Sequence, residues 1–194
     1  LIAAGAAVAV NTIDNTIEAG IRSNSVVTAD ADVLITAESS PVIGNFAGGL
    51  AGGALVGLAG SFAFNDINNT IAAEVNSSQV TALSGSVELV ARDLASENRP
   101  DDFLLGDLDG DTRDTTQSYL DESDDKGYDW SKSNVISIAA SVGGGGAFGG
   151  CAALSYNEIT NNISAKLIDA EVTAENIVVE ATSGTEVFSL GAGV

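Results

Sequence analysis

A repeated unit constrains the fold of this chain more than any other feature of its sequence. The motif N-x-I-x-N-x-I occurs three times, at residues 11–17, 65–71 and 157–163. A second apolar block follows each copy, at residues 33–37, 87–91 and 177–181. The first two copies are 54 residues apart (11 to 65). A unit of this size cannot bury its apolar face alone, so we expect neighbouring copies to stack and complete the core.

The periodicity inside the unit is that of β-strands. Apolar residues alternate with polar ones, as in Val33, Ile35 and Ala37, which places one face inward and the other in water. Small polar pairs lie between the runs and predict corners: Ser23-Asn24, Ser77-Ser78 and Ser84-Gly85. The fold class is therefore all-β, and the architecture we expect is a parallel β-solenoid. With roughly 18–20 residues per coil, each unit would make about three coils, and the chain roughly eight coils over about 40 Å.

An insertion interrupts the array. The second and third copies of the motif are 92 residues apart, 38 more than 54. Residues 97–134 hold 12 of the 27 acidic residues and the only Trp, which sets them apart in composition. We therefore predict solenoid repeats over 1–96, an acidic loop or small subdomain over 97–134, and a continued repeat over 135–194.

A Gly- and Ala-rich block, complete at residues 42–64 and 135–156, precedes two of the motifs. Its uncharged length makes a transmembrane helix with small-residue faces an alternative. Because the block recurs next to alternating strands and is rich in Gly, we favour strands in close approach, or a face packed against another chain, and expect no membrane insertion.

Paired Asn residues recur within the motif, at positions 11 and 15, 65 and 69, and 157 and 161. They either stack as hydrogen-bonded ladders inside corners or cap turns. Both roles are structural.

Charge and composition exclude several classes of function. The formal charge of −20 leaves no basic patch to neutralise phosphate, so nucleic acid is not a partner. The chain has no His and one Cys, Cys151, which rules out zinc, haem and disulfide frameworks. It starts in mid-pattern without an initiator Met, as expected of a fragment.

Together, the N-x-I-x-N-x-I, Gly/Ala-rich and V-x-V-x-A blocks resemble the repeats of large filamentous haemagglutinin-like and leukotoxin-type filamentous adhesins of Gram-negative bacteria. The resemblance covers nearly all of the chain except residues 97–134. It implies a right-handed parallel β-helix, export to the cell surface, and attachment to cells, surfaces or matrix. No binding residue of the family can be carried over, because the shared motifs are structural.

One acidic cluster has the residue types of a cation site. Carboxylates at alternate positions around a Gly can converge on Ca²⁺, and Asp107, Asp109, Asp111 and Asp114 are spaced in this way. The Gly lies at the fourth place rather than the sixth place of an EF-type loop. A solvated acidic loop is the alternative.

Two aromatic residues near the end of the insertion form a candidate contact site. Tyr128 and Trp130 offer surface for a sugar or a protein, and the alternative is that they pin the insertion to the scaffold. We predict no enzyme, because the acids of residues 107–125 lack the His and aromatic platform of a sugar-cleaving cleft.

These features lead to two functional hypotheses. The first is a structural stalk segment of a large secreted adhesin, with neighbouring repeats of the same parent chain and a host, cell or matrix surface as partners. The second is a self-assembling extracellular fibre or sheath subunit, a homo-oligomer or filament that packs through the Gly/Ala-rich blocks.

Overall fold

The chain folds into twelve β-strands and one α-helix over the part that the structure describes. The structure is a computed structural model and describes residues 2–96, 106, 110–126 and 132–193. The strands are β1 (Ile2–Ile21), β2 (Val26–Ala29), β3 (Val33–Ser39), β4 (Ile43–Gly53), β5 (Val56–Asn76), β6 (Gln79–Ala82), β7 (Ser86–Asp93), β8 (Val135–Gly145), β9 (Phe148–Ile168), β10 (Glu171–Thr173), β11 (Asn176–Ser183) and β12 (Val187–Gly193). Helix α1 (Gly110–Asp125) lies between β7 and β8. The predicted all-β class is confirmed.

Each of the first eight strands pairs in parallel with the strand four places later in the chain. Four three-stranded sheets result: sheet A (β1, β5, β9), sheet B (β2, β6, β10), sheet C (β3, β7, β11) and sheet D (β4, β8, β12). The chain thus visits the four sheets in order and makes this circuit three times: circuit 1 is β1 to β4, circuit 2 is β5 to β8, and circuit 3 is β9 to β12. Circuit 2 is central in every sheet.

The sequence repeat coincides with one circuit. Ile13 is aligned with Ile67, and Ile67 with Ile159, so the registers reproduce the spacings of 54 and 92 residues. The expectation of three short coils per repeat is therefore wrong. Alternation continues without a turn from the Gly/Ala block through the Asn motif, and β1 alone is 20 residues long. At about 4.8 Å between strands, three circuits span roughly 14 Å rather than about 40 Å.

The interior tapers from large side chains to small ones. Where sheets A, B and C meet, ten buried residues form the main core: Ile35, Ala37, Ile71, Ala73, Val75, Val80, Ala82, Val87, Leu89 and Ala91. Between sheets A and D the next layer is Ile43, Ile67 and Val135. The layer beyond it is only Ala47, Ala63 and Ala139. Side-chain volume therefore determines the distance between the facing sheets.

Glycine completes this taper. A Cβ atom built on Gly5 would overlap the carbonyl oxygen of Leu50, and one built on Gly49 would overlap that of Gly60. Sheets A and D therefore approach backbone to backbone here, as the close-approach interpretation of the Gly/Ala block predicted. The alternative of a transmembrane helix is wrong for residues 43–64, which form β4 and the beginning of β5. Among the described residues, no helix is long and apolar enough to cross a membrane.

Buried Asn residues form hydrogen-bonded stacks. The Nδ2 of Asn11 donates to Oδ1 of Asn65 at 3.0 Å, and Nδ2 of Asn65 donates to Oδ1 of Asn157 at 2.7 Å. Asn69 donates to Asn161 at 3.1 Å in the same way. Of the two alternatives, the ladder is confirmed for Asn11, Asn65 and Asn157 and for Asn69 with Asn161, but its predicted place in corners is wrong. These Asn residues lie within β1, β5 and β9, where the alternation points Asn inward beside Ile. In the stack of Asn65 an identical amide one strand away on each side satisfies the buried group. In the second stack the Oδ1 of Asn69 has no hydrogen-bond partner among the described residues.

The predicted corners between sheets A and B are confirmed. Ser23, Asn24, Ser77 and Asp169 have positive φ angles of 65°, 57°, 48° and 46°. The corners also stack, since the backbone N–H of Asn24 donates to the carbonyl of Ser77 at 2.8 Å and that of Ser77 to Ile168 at 2.9 Å. Small polar residues suit these positions because Asn, Asp and Ser tolerate the left-handed conformation better than branched residues.

Candidate functional site

The corner between sheets C and D differs in one circuit only. In circuits 1 and 3 it has three residues, 40–42 and 184–186, whereas in circuit 2 it has 41, residues 94–134. The extra chain leaves the scaffold after β7 and returns at β8. Because β7 and β8 keep the register of their neighbours, the insertion does not disturb the sheets.

Asn134 holds the two ends of the insertion together. Its side chain is fully buried, and its Nδ2 donates to the carbonyl of Leu94 at 2.8 Å and to that of Pro41 at 3.0 Å. Its Oδ1 accepts from the backbone N–H of Glu186 at 3.1 Å. One side chain thus links all three circuits at this corner. Sequence reasoning missed this role, although a polar residue directly before the return of the alternation at Val135 was the available signal.

Asp93 lies at the same neck and is 1% exposed. Its Oδ2 accepts hydrogen bonds from Nδ2 of Asn161 at 2.6 Å and from the hydroxyl of Thr185. Its Oδ1 has no hydrogen-bond partner among the described residues. The aligned positions in circuits 1 and 3 are Ser39 and Ser183, so the acid occurs only in the circuit that carries the insertion. It connects circuit 2 to circuit 3 beneath the insertion.

Helix α1 is the described part of the insertion, and the sequence analysis did not predict a helix. Nε2 of Gln117 donates to Oδ1 of Asp121 at 2.7 Å, and Nζ of Lys126 donates to Oε1 of Glu122 at 2.6 Å. These pairs, four residues apart, stabilise a helix that has few apolar residues. The Lys126 ammonium lowers the pKa of Glu122 below its usual value through this hydrogen bond and its charge. The acid spacing around Gly110 had favoured a loop.

The predicted cation cluster is only partly within the described residues. Asp107 and Asp109 lie outside them. Asp111 and Asp114 lie in the first turns of α1, where Asp114 is exposed and the side chain of Asp111 is outside the description. No group of three or more Asp, Glu, Cys or His side chains that could hold a metal occurs within the described ranges. The Ca²⁺ site remains a prediction.

The predicted contact residues Tyr128 and Trp130 also lie outside the described residues. Directly after the insertion, the outer face of β8 carries a separate apolar cluster. Ile136 and Ile138 are buried there and pack against the partly buried side chains of Phe46, Phe188 and Leu190. Both faces of β8 are therefore apolar directly after the insertion, whereas its far end is exposed.

A second apolar surface covers half of the outer face of sheet A, and we call it the apolar face. It consists of nine exposed large side chains from β1, β5 and β9: Ile2, Val8, Val10, Leu58, Phe62, Phe64, Phe148, Leu154 and Tyr156. The rings of Phe64 and Tyr156 stack at 5.3 Å between centroids and 7° between planes. The other half of the same outer face is polar, with Asn68, Thr160 and Asn162 among its residues.

A shallow polar groove of 500 Å³ follows the corners between sheets A and B. It is lined by the corner residues Asn24, Ser77 and Asp169, with Gln79 and Glu171 at its side. Nε2 of Gln79 donates to Oε2 of Glu171 at 3.0 Å. The groove repeats the shape of the stacked corners, and its lining consists mainly of hydroxyl, amide and carboxylate side chains.

Comparisons of this chain with protein-family models, with curated proteins and with solved structures found no match.

Proposed function

We propose that the three circuits are coils of a right-handed parallel β-solenoid, and that the chain is a structural stalk segment of a large secreted bacterial surface adhesin. The observation that supports this is the register, which aligns each circuit with the next through all four sheets. A protein whose repeats align in this way is built to be extended by further repeats. The handedness and the cell-surface location follow the resemblance to filamentous adhesins.

The ends of the stack are suited to such extension. Within the described residues, the strands of circuits 1 and 3 pair on one side only. Their open edges match the strands of a further circuit, and neighbouring repeats of the same parent chain are the partners that would pair with them. Each circuit adds only about 4.8 Å of length, but the 20 residues of β1 give it a width of roughly 65 Å. This part of the stalk therefore contributes more to the stiffness of the stalk than to its length.

The insertion is the proposed point of contact with a cell or matrix surface. It leaves the scaffold at one corner, its described helix is polar, and the sheets beneath keep their register without it. A loop on a rigid scaffold can change without loss of the fold, which is why binding sites occur on such loops.

Repeat addition tests the solenoid. A copy of residues 1–54 placed before residue 1 should add one circuit, lengthen the particle by about 4.8 Å in small-angle scattering, and raise the unfolding midpoint. The matched control is the same copy without Thr12, because the loss of one residue turns the following alternation to the wrong face. An added copy that stays unfolded, or that behaves like the control, would contradict the proposal.

Corner exchange tests the contact role. Replacement of residues 94–134 by the three-residue corner Ser40-Pro41-Val42 should leave the scaffold folded by circular dichroism. Binding of the labelled chain to cells and to matrix-coated surfaces should then fall to background. Equal binding by the exchanged and parent chains would show that the insertion is not the contact site.

The alternative function, a self-assembling fibre or sheath subunit, is favoured by one observation, the apolar face. Gly residues at inward positions of the Gly/Ala blocks, such as Gly5, Gly49 and Gly57, lie between sheets A and D, and most of the large residues of the same blocks point outward. If chains pack laterally, they therefore do so through these large outward residues and not through the small ones.

A further inference from the structure

The apolar face is produced by the same alternation that brings sheets A and D together. Along β5, Gly57, Ala59 and Ala63 are buried toward sheet D. The residues that alternate with them on this strand include Leu58, Phe62 and Phe64, which are exposed. In register with them lie Val8 and Val10 on β1 and Leu154 and Tyr156 on β9. Large side chains that the thin interior cannot hold are thus aligned in rows on a flat outer surface.

This surface is larger than a soluble monomer ordinarily exposes. Its nine side chains are between 36% and 76% exposed. At about 100 Å² for each of them, the face presents on the order of 900 Å² of apolar area. The largest patch on a typical monomer is about 300–600 Å², and a stable interface buries about 800 Å² on each partner. The area is therefore of the same order as what one side of a stable dimer buries.

The distribution of charge allows two highly acidic chains to meet at this face. Residues 2–10, 56–64 and 148–156 contain no charged side chain, although the chain carries −20. On the outer face of sheet A the acids begin in the next row, with Asp66 and Glu158. In a two-fold pair that overlaps only the apolar halves of the two chains, the two polar halves point in opposite directions. The acidic residues of the two chains are then far apart, so the repulsion between them is small.

We propose that two copies of this chain pack face to face through the apolar face, sheet A against sheet A, as an isologous pair. Phe62 lies at the centre of the interface, in the middle strand, between Val8 and Leu154. Side chains of the two sheets interdigitate as in other aligned sheet packings. This pairing is independent of the proposed stacking of repeats, since it uses the flat side of the stack and leaves its ends open.

Two double variants with the same change of charge test the pairing. Phe62→Lys with Leu154→Lys places cations in the apolar face. Asn68→Lys with Thr160→Lys places them on the same two strands and the same outer surface, in the polar half. Sedimentation velocity at up to about 100 μM protein, far above the Kd of a standard interface, should show dimers for the parent chain and the Asn68/Thr160 variant. The Phe62/Leu154 variant should be monomeric.

Other outcomes overturn the proposal. A monomeric parent chain would do so, and flotation of that monomer with phosphatidylcholine vesicles would assign the face to a lipid surface instead. Dimers that persist in the Phe62/Leu154 variant would assign association to the open strand edges, and loss of dimers in both variants would show a general effect of charge. Circular dichroism checks that each variant is folded. If the Lys variant does not fold, the double variant Phe62→Ser with Leu154→Ser replaces it, and this variant is expected to be monomeric as well.

Discussion

The side-chain amide of Asn134 donates a 2.8 Å hydrogen bond to the carbonyl oxygen of Leu94, 40 residues earlier in the chain. This bond closes the neck of the insertion. The backbone N–H of Leu94 donates to the carbonyl of Ser39, and the carbonyl of Asn134 accepts from the N–H of Ile43, so both ends remain in the hydrogen-bonding pattern of circuit 1. The insertion can therefore vary in sequence while the sheets beneath it do not change.

Asn134→Ala should destabilise the scaffold. It leaves the carbonyls of Leu94 and Pro41 and the N–H of Glu186 without their side-chain partner, which we expect to lower the free energy of unfolding by about 1–3 kcal/mol. Urea denaturation measures the change. The chain with residues 94–134 replaced by the circuit 1 corner also lacks Asn134, so it should lose a similar amount of stability, and a clearly larger loss would show that the rest of the insertion supports the fold.

Asn65→Ala should break the longest Asn stack. Asn65 bonds to Asn11, Asn157 and Asn45, and all its polar atoms are buried, so we expect a loss of about 1–3 kcal/mol in urea denaturation. Asn68→Ala is the matched control, because Asn68 lies on the same strand but points into solvent, and it should change stability by less than about 0.5 kcal/mol. Similar losses in the two variants would argue against a ladder.

Gly49→Ala tests the close approach of sheets A and D. The added methyl group would overlap the carbonyl of Gly60, and we expect a cost of about 1–3 kcal/mol in the free energy of unfolding. Gly52→Ala adds the same group to the same strand, where nothing lies within 4 Å, and should be neutral or slightly stabilising. Equal melting temperatures for both variants would mean that the sheets are further apart than described.

Millimolar CaCl₂ should raise the thermal unfolding midpoint if the acidic cluster binds Ca²⁺, because a ligand that binds only the folded chain stabilises it. Asp109→Asn with Asp111→Asn should abolish the shift. Asp101→Asn with Asp102→Asn removes the same charge from the same insertion and should retain it. If CaCl₂ does not change the unfolding midpoint of the parent chain, the acidic cluster does not bind Ca²⁺ and is a solvated segment.

Tyr156 should ionise at higher pH than an ordinary tyrosine. The charge of Glu158, and the hydrogen bond that the phenol donates to it, raise the pKa of Tyr156. The contribution of this group to stability is thus fully present below the pKa of an unfolded tyrosine, about 10, and is lost as pH rises through the higher folded pKa. The difference in phenolate absorbance between the parent chain and Tyr156→Phe gives the titration of Tyr156 alone. Glu158→Gln should lower the pKa, whereas Glu175→Gln should not change it.

The positions that sequence reasoning missed are those where the decisive contact is distant in the chain. Asn134 and Asp93 lie beside irregular segments, and their partners, Leu94 and Asn161, are 40 and 68 residues away. A local pattern can mark one member, as the return of the alternation at Val135 does for Asn134, but it does not identify the distant partner. Helix α1 was missed for a different reason, because its acidic residues around Gly110 are equally compatible with a loop.

By itself, the sequence determined the period of 54 residues, the β-class of the repeat and the presence of an insertion, because each of these is written as a local alternation or as a spacing along the chain. Only the tertiary structure decided that one repeat makes one circuit, and that Gly49 and Gly57 face inward while Phe62 and its neighbours face out. A period of two assigns residues to two faces of a strand, but which face is interior, and where the strand ends, depends on what packs against it.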